Sequence, residues 1–448
     1  MDTVNPLSKD HALLAEELAR KGVQYAVGCW IDVLGRPKSK VVPIDHLPNL
    51  IAGSERYTPR GMGGIGMMNP VEDEVVGIPD TSTLRILPWD RRFAWMIADM
   101  SAGGRESFAL CPRSALKQQV AEATDMGYAC QLGVEPEFYV FKPGSIDSGR
   151  LRPLAPSGEI EPTPAYDFEV TLDAMPFLDL VTSYMSELDF GLFSFDAEGG
   201  QGQYEFDFAH AEVVDSADRM TLFRLLIRQA AKETGLLATF MPKPFAEMWG
   251  SGAHFNMSLE DRHTGENVFK SGSGWRKEAL HFAGGVLKHA KAMAALSNPT
   301  TNSYRRLVPR LADGNFSWAP TKISYGHNNR SCMLRLPDNR PAIENRSVDS
   351  AANTYLTAAF MLAAGLEGIR DGIDPGKPED VVSYTDDDID VLPRTLIEAV
   401  EAFEEDPLTH TVFHASFIKD YAAMKRGEWE RSHADVSDFE RTTYLLNI

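Results

Sequence analysis

A chain of 448 residues is too long for one ordinary core and calls for two or three units, or one small and one large. Its hydrophobic share of 43% excludes a disordered chain, and 64 acidic against 44 basic residues, net charge −20, argue against nucleic acid and anionic membranes as partners. Cys29, Cys111, Cys130 and Cys332 are scattered with no CxxC spacing, so neither a disulfide framework nor a zinc knuckle is expected. With no apolar run of about 18 residues and no signal-like N-terminus, the expected setting is the cytoplasm.

In chain order, residues 9–21 place Leu13, Leu14 and Leu18 at helical spacing and predict an amphipathic helix. Segments 23–33 and 38–44 flank a Leu-Gly-Arg-Pro turn and read as a hairpin. A glycine-rich loop over 53–70 and short strands at 84–87 and 93–99 complete a small unit, with a boundary near Gly103 to Glu106. The units expected are therefore 1–106 and 107–448. Pro112 opens a helix to about Asp125, Gly127 stops it, and 129–141 is a strand. Residues 143–165 read as a surface excursion. Further helices are predicted near 173–189, 216–234, 276–296 and 350–370, and strands around 193–195 and 203–208. Apolar or aromatic segments at 238–241, 254–259 and 331–336 lie between them. Gly61 to Gly66 fits GxGxxG, but the polar run before it and Asn69-Pro70 after it exclude a dinucleotide fold.

The segment Val-Glu-Pro-Glu-Phe-Tyr-Val from Val134 to Val140 is an apolar strand carrying two acids. Residues i and i+2 of a strand share a face, so Glu135 and Glu137 project together. Two like charges there are costly unless solvent or a cation compensates them. Glu198 and Glu205 flank a glycine-rich turn, His254 and Ser258 follow a glycine loop, and Glu344 lies among apolar neighbours. The set of Glu135, Glu137, Glu198, Glu205, Glu344 and His254 is mostly oxygen and suits Mg2+ or Mn2+ rather than zinc. Arg305, Arg306, Arg330, Arg335 and Arg346, interleaved with Asn, Pro and apolar residues, read as an anion pocket. Carboxylate-held divalent metals beside an arginine cluster are the parts of phosphoryl transfer from ATP.

EPEF, GQGQYEFDF, ATFMPKPF, GSGAHFNMS, NSYRRLVP, NNRS and the ENR before DSAANTYL, in this order, resemble the motifs of the glutamine synthetase family over residues 10–372. The resemblance implies an α+β fold: a small N-terminal β-grasp domain, and a large catalytic domain whose curved antiparallel sheet is flanked by helices. It implies a homo-oligomeric ring, a dodecamer of two hexamers, with active sites between subunits. It also implies ATP as co-substrate, two or more Mg2+ or Mn2+ ions per site, and L-glutamate as the acyl substrate. By motif, Glu137, Glu198 and Glu205 correspond to ligands of the metal beside the amino acid. Glu135, His254 and Glu344 correspond to ligands of the metal on the phosphates. Arg306, Arg346 and the Gly250 loop correspond to the glutamate grip, Arg330 and Arg335 to phosphate binders, and Asn256 and Ser258 to nucleotide contacts. Asp32 matches the carboxylate that reaches a neighbouring subunit's site and receives the amine; as residues alone it reads equally as a turn cap before Leu-Gly.

The sequence departs from the family's pattern at the amine end. Trp249 stands where ammonia-using members carry Asn, and the flap after Arg306 lacks Pro-Gly-Tyr-Glu, leaving Asp313 as the nearest acid. No tyrosine-bearing nucleotidylation loop is found near 376–392. Ammonium offers four N–H donors and wants several acceptors, whereas an alkylamine wants an apolar wall. Losing an acid while gaining Trp249, Phe316 and Trp318 predicts a small alkylamine, methylamine first, as the second substrate. The alternatives are ammonia, a polyamine, or a ring with no catalysis.

Overall fold

The computed structural model describes residues 9–62, 71–103, 106–143, 165–272, 274–312 and 314–445. The N-terminal helix Lys9–Arg20 turns Ala15 and Leu18 onto Val23, Ala26, Leu47, Leu50 and Met96. Beneath it lies a seven-stranded sheet. Its path runs Pro37–Pro43, Tyr25–Ile31, Phe93–Ala102, Val75–Pro79, Arg56–Tyr57. The first two strands are the expected hairpin, antiparallel, and Tyr25–Ile31 runs parallel to Phe93–Ala102. The hairpin turns at Gly35, which sits at φ 74°, a conformation glycine takes without strain. The sheet's other face, with Val27, Ile31 and Trp95, merges into the main core, so the small sheet lies between its own helix and the larger unit.

The larger unit is organised on the fourteen-residue strand Tyr128–Phe141. It pairs antiparallel with Ala253–Asp261 on one side and Gln203–Phe208 on the other. The nine-stranded sheet continues to Ile343–Asn345 and Leu334–Leu336, and beyond Gln203–Phe208 to Leu192–Ala197. It is antiparallel as expected except where Tyr325–His327 joins Leu334–Leu336 in parallel. One face buries Val134, Phe138, Tyr204, Phe206, Phe255 and Met257 against helices. The flanking helices include Pro112–Asp125, Phe168–Glu187, Val213–Glu233 and Thr354–Asp371.

Several boundaries move for local reasons. Phe168–Glu187 starts early because the Asp167 side chain accepts from the Val170 N–H. Thr354–Asp371 starts late because Asn353 caps the N–H groups of Tyr355 and Leu356. The helix expected over 276–296 divides into Lys277–Lys288 and Ala290–Ser297 at His289, whose ring is fixed 2.8 Å from Asp406 and 3.1 Å from Glu367. Helices Leu396–Glu405 and Ala415–Ala434 follow the last element read from the sequence. The expected excursion at 143–165 and most of the Gly61 to Gly66 run lie outside the described residues. The four cysteines are free and buried, and among the described residues no helix is long and apolar enough to cross a membrane.

Arg113 ties the two sheets together. It is 3% exposed and meets Asp80 and Asp99 of the N-terminal sheet region and Asp218 of the helix Val213–Glu233, each at 2.9 Å. Removing one member of a buried ionic cluster strands the others, at roughly 3–5 kcal/mol. Arg113→Ala should lower unfolding stability by that order in urea at neutral pH, and Arg113→Lys should restore little because it lacks the fork. An unchanged urea midpoint for Arg113→Ala would show that the cluster holds nothing together.

Candidate active site and metal centre

Strand register assembles the site. Glu135 pairs with His254 and Glu137 with Glu205; Glu344 pairs with Asn256 on one side and Arg335 on the other. Paired residues share a face, as do residues two apart, so all seven project from the side opposite the phenylalanine core. Glu135, Glu137, Glu205, His254 and Arg335 line a cavity of about 410 Å³ together with Glu198, Trp249, Gly250, Arg306, Arg330 and Arg346, and Glu344 lies fully buried behind it. Asn256 and Ser258 line an adjoining cavity of about 280 Å³ that shares Glu135, Asp207 and Arg340 with the first.

Two groups of ligand atoms lie within 4.8 Å of one another: Glu135, His254 and Glu344, and Glu137, Glu205 and His254. The first is the trio expected on the phosphates. In the second, His254 stands with Glu137 and Glu205, while Glu198 lines the same cavity. His254 Nδ1 is 3.5 Å from Glu135 and 3.8 Å from Glu344, and its Nε2 is 3.7 Å from Glu137, too long for direct hydrogen bonds.

Charge divides the cavity. Burial, then repulsion from neighbouring acids, raises the Glu198 carboxyl to about 8 and Asp207 to about 7. Burial and Glu135 push Glu205 well above the usual range, and burial raises Glu137 against the pull of Arg306. Asp196 Oδ1 and Asp207 Oδ1 are buried with no partner among the described residues. Burial and Arg346 drive His254 well below its usual value, so its ring is neutral and able to bind a metal. A buried, mutually repelling oxygen set with unpartnered carboxylate oxygens and one neutral imidazole fits a hard divalent cation. At the other end burial alone would raise Glu344, but Arg346 and Arg335 hold it low.

Arginines and backbone close the walls. Arg335 meets Glu344 at 2.7 Å, and Arg346 also pairs with it. Arg306 donates to the carbonyls of Ser347 and Arg346, both at 3.0 Å. Gly252 gives its N–H to Glu137 at 2.9 Å, and a Cβ there would lie 2.8 Å from both Arg306 Nη2 and His254 Nε2, so only glycine permits this approach. Gln203 adds a second donor to Glu137 at 3.0 Å.

Asp32 is not part of this cavity. It is 1% exposed, and its carboxylate accepts from the N–H groups of Leu34 at 3.0 Å and Arg36 at 2.8 Å. Both turn bonds fall on Oδ1, as the turn-cap reading expects, and Oδ2 stands 3.7 Å from Lys38 Nζ. Asp313 lies outside the described residues. Sequence reasoning missed Arg340, Asp196 and Asp207. Arg340 Nη2 reaches Glu135 at 2.9 Å and Glu344 at 3.0 Å, and its Nε reaches Asn256 at 2.9 Å. Asp207 was detectable, two residues after Glu205 on one strand; Arg340, in the loop between two short strands, carried no pattern.

Residues 109–444 match the glutamine synthetase catalytic-domain family. The glutamate–methylamine ligase of Methyloversatilis universalis is 33% identical, over 96% of this chain and 97% of that protein. The glutamine synthetase of Rhizobium meliloti is also 33% identical, over 95% and 97%. A solved GmaS/ADP complex superposes with a TM-score of 0.89 at 33% identity, covering 96% of this chain and 99% of that one.

A metal held by these carboxylates should be detectable without turnover. Glu205→Gln is expected to weaken Mn2+ binding, followed by electron paramagnetic resonance without nucleotide, by at least the roughly 10–100-fold that outer-sphere partners are worth. Wild-type affinity in that variant would remove Glu205 from the metal site.

Proposed function

This chain belongs to the glutamine synthetase family of ATP-dependent glutamate ligases, and on that premise we propose that it joins the γ-carboxylate of L-glutamate to a small alkylamine, methylamine foremost. The observation that carries the amine assignment is an aromatic wall. Trp249 and Trp318 lie with ring centroids 6.1 Å apart at the edge of the carboxylate cavity. Trp249 packs so closely over Gly199 that a Cβ there would lie 2.7 Å from its ring. Trp318 is held at φ 59°, a strained conformation for a bulky residue, and Arg346 lies 3.5 Å from its carbonyl. The two indole rings can bury a methyl group and themselves offer no acceptor for a fourth ammonium proton. Identity does not separate the amines, since the methylamine ligase and a glutamine synthetase stand equally close.

In this reading ATP straddles the two cavities, its base and sugar beside Asn256 and Ser258 and its phosphates toward Arg330, Arg335 and Arg340. Arg306 and Arg346, with the Gly250 loop, grip glutamate. The γ-carboxylate takes the terminal phosphoryl group to give γ-glutamyl phosphate and ADP, and the amine displaces phosphate to form the amide. The fixed guanidinium forks stabilise charge on the transferred group. A divalent metal held by Glu135, His254 and Glu344, and another by Glu137, Glu205 and Glu198, would supply further positive charge there. The working form is a homo-oligomeric ring, two stacked hexamers with sites between neighbours.

Two measurements test this reading. Steady-state comparison of methylamine, ethylamine, putrescine and ammonium should give methylamine the highest kcat/KM; ammonium in first place would make the chain a glutamine synthetase. Trp318→Ala should cost methylamine about 10-fold relative to ammonium, the low end of what one apolar group is worth in a pocket. Separately, Glu135→Ala should weaken ATP binding by calorimetry more than Glu137→Ala; equal losses would undo the division between a phosphate end and an amino-acid end.

A further inference from the structure

A further cavity, of about 430 Å³, opens between the hairpin turn 34–37, the helix Val213–Glu233 and the helix Ala415–Ala434, and shares no lining residue with the candidate active site. Arg36, Arg224, Arg228 and Lys425 line it, and Glu428 is its lone carboxylate. Glu428 is already engaged, accepting from the Thr301 N–H at 3.1 Å and from Lys425 Nζ at 3.2 Å. Among the described residues no carboxylate pairs with Arg36, Arg224 or Arg228. In a chain of net charge −20, four cations gathered around one carboxylate are the reverse of what the composition supplies.

Arg224 is the fixed element. It is 9% exposed, and its Nη2 donates to the carbonyls of Ser350 at 2.9 Å and Ala352 at 2.7 Å. Its Nε is buried with no partner among the described residues. A buried guanidinium N–H left unsatisfied is costly and calls for an acceptor. Burial, then the neighbouring Arg228, bring Arg224 down to about 10. The Arg224 and Arg228 guanidiniums also flank the Phe240 ring, 5.9 and 5.3 Å from its centroid. Leu34, Met241, Leu296 and Leu356 supply apolar wall, and the volume falls in the range of about 300–1,000 Å³ typical of small-ligand sites.

We propose that this cavity binds a small oxyanion carrying at least two negative charges, a phosphate-bearing molecule or a dicarboxylate. Arg224 and Arg228 are the forked donors, Arg36 and Lys425 the supporting cations, and Phe240 the apolar floor. A dianion removes the repulsion among the cations and gives Arg224 Nε an acceptor. The occupant would sit two hydrogen bonds from the metal-site strand, because the same Ser350 that accepts from Arg224 donates its hydroxyl to the Glu137 carbonyl at 2.6 Å.

The test is calorimetric titration of the full chain with pyrophosphate and, separately, succinate, in magnesium-free buffer. It is run in an Arg335→Gln, Arg340→Gln background to weaken binding at the candidate active site, and the loss on adding substitutions in the cationic cavity, not binding alone, decides the outcome. Saturable binding of either probe is expected, and which of them binds identifies the chemistry. Adding Arg36→Gln and Arg228→Gln, both at exposed positions, should weaken that binding roughly 10-fold or more while near-ultraviolet circular dichroism stays unchanged. If neither probe binds saturably, or if the added substitutions leave binding as it was, the cavity is not an anion site.

Discussion

The register of three strands is the constraint on which the rest depends. Tyr128–Phe141 must meet Ala253–Asp261 so that Glu135 faces His254, and Gln203–Phe208 so that Glu137 faces Glu205. A slip of one residue would turn Val134 and Phe138 into the polar cavity and drive the carboxylates into the phenylalanine core. The apolar face therefore fixes the polar one. Phe138, Phe206, Phe223 and Phe240 pack stacked, edge-to-face and tilted around one another, and their shape favours one alignment of the strands.

That alignment gathers like charges, and the local stability they cost is what makes the site able to bind cations. Glu198, Glu205 and Asp207 all sit above their usual range because water is excluded and neighbouring acids, Glu135, Glu137 and Asp196 among them, repel their charge. Glu344, three strands across the sheet, sits below it because Arg346 and Arg335 outweigh its burial. The cavity thus has an acid-rich end and an arginine-rich end. A reaction that brings a polyphosphate against a carboxylate needs both. Trp249 and Trp318 add an apolar edge without disturbing either.

The small N-terminal sheet is more than an attachment. Its inner face contributes Val27, Ile31 and Trp95 to the main core, Arg113 bridges it to the helix Val213–Glu233, and Asn353 donates to the carbonyls of Asp32 and Val33. Its hairpin turn is held from both sides. That turn, capped by Asp32, forms one wall of the cationic cavity.

The sequence by itself determined the elements and the chemistry. Period-two alternation in the Glu135 and Glu205 segments, glycines before His254, and arginines among polar and apolar neighbours were enough to name the six candidate ligands and the anion-binding residues, because these signals are local. Only the tertiary structure decided what meets what. His254 stands in both ligand groups because its strand lies beside Glu135 while its ring reaches Glu137. Arg340 enters from a loop with no periodicity to read. The helix over 276–296 breaks at His289 because acids distant in sequence, Glu367 and Asp406, hold its ring. Arg36, Arg224, Arg228 and Lys425 are separated by up to nearly the whole chain, and nothing local marks them as neighbours. Spacing along a chain fixes which face a side chain takes; contact across elements is set by packing, and packing is a property of the folded whole.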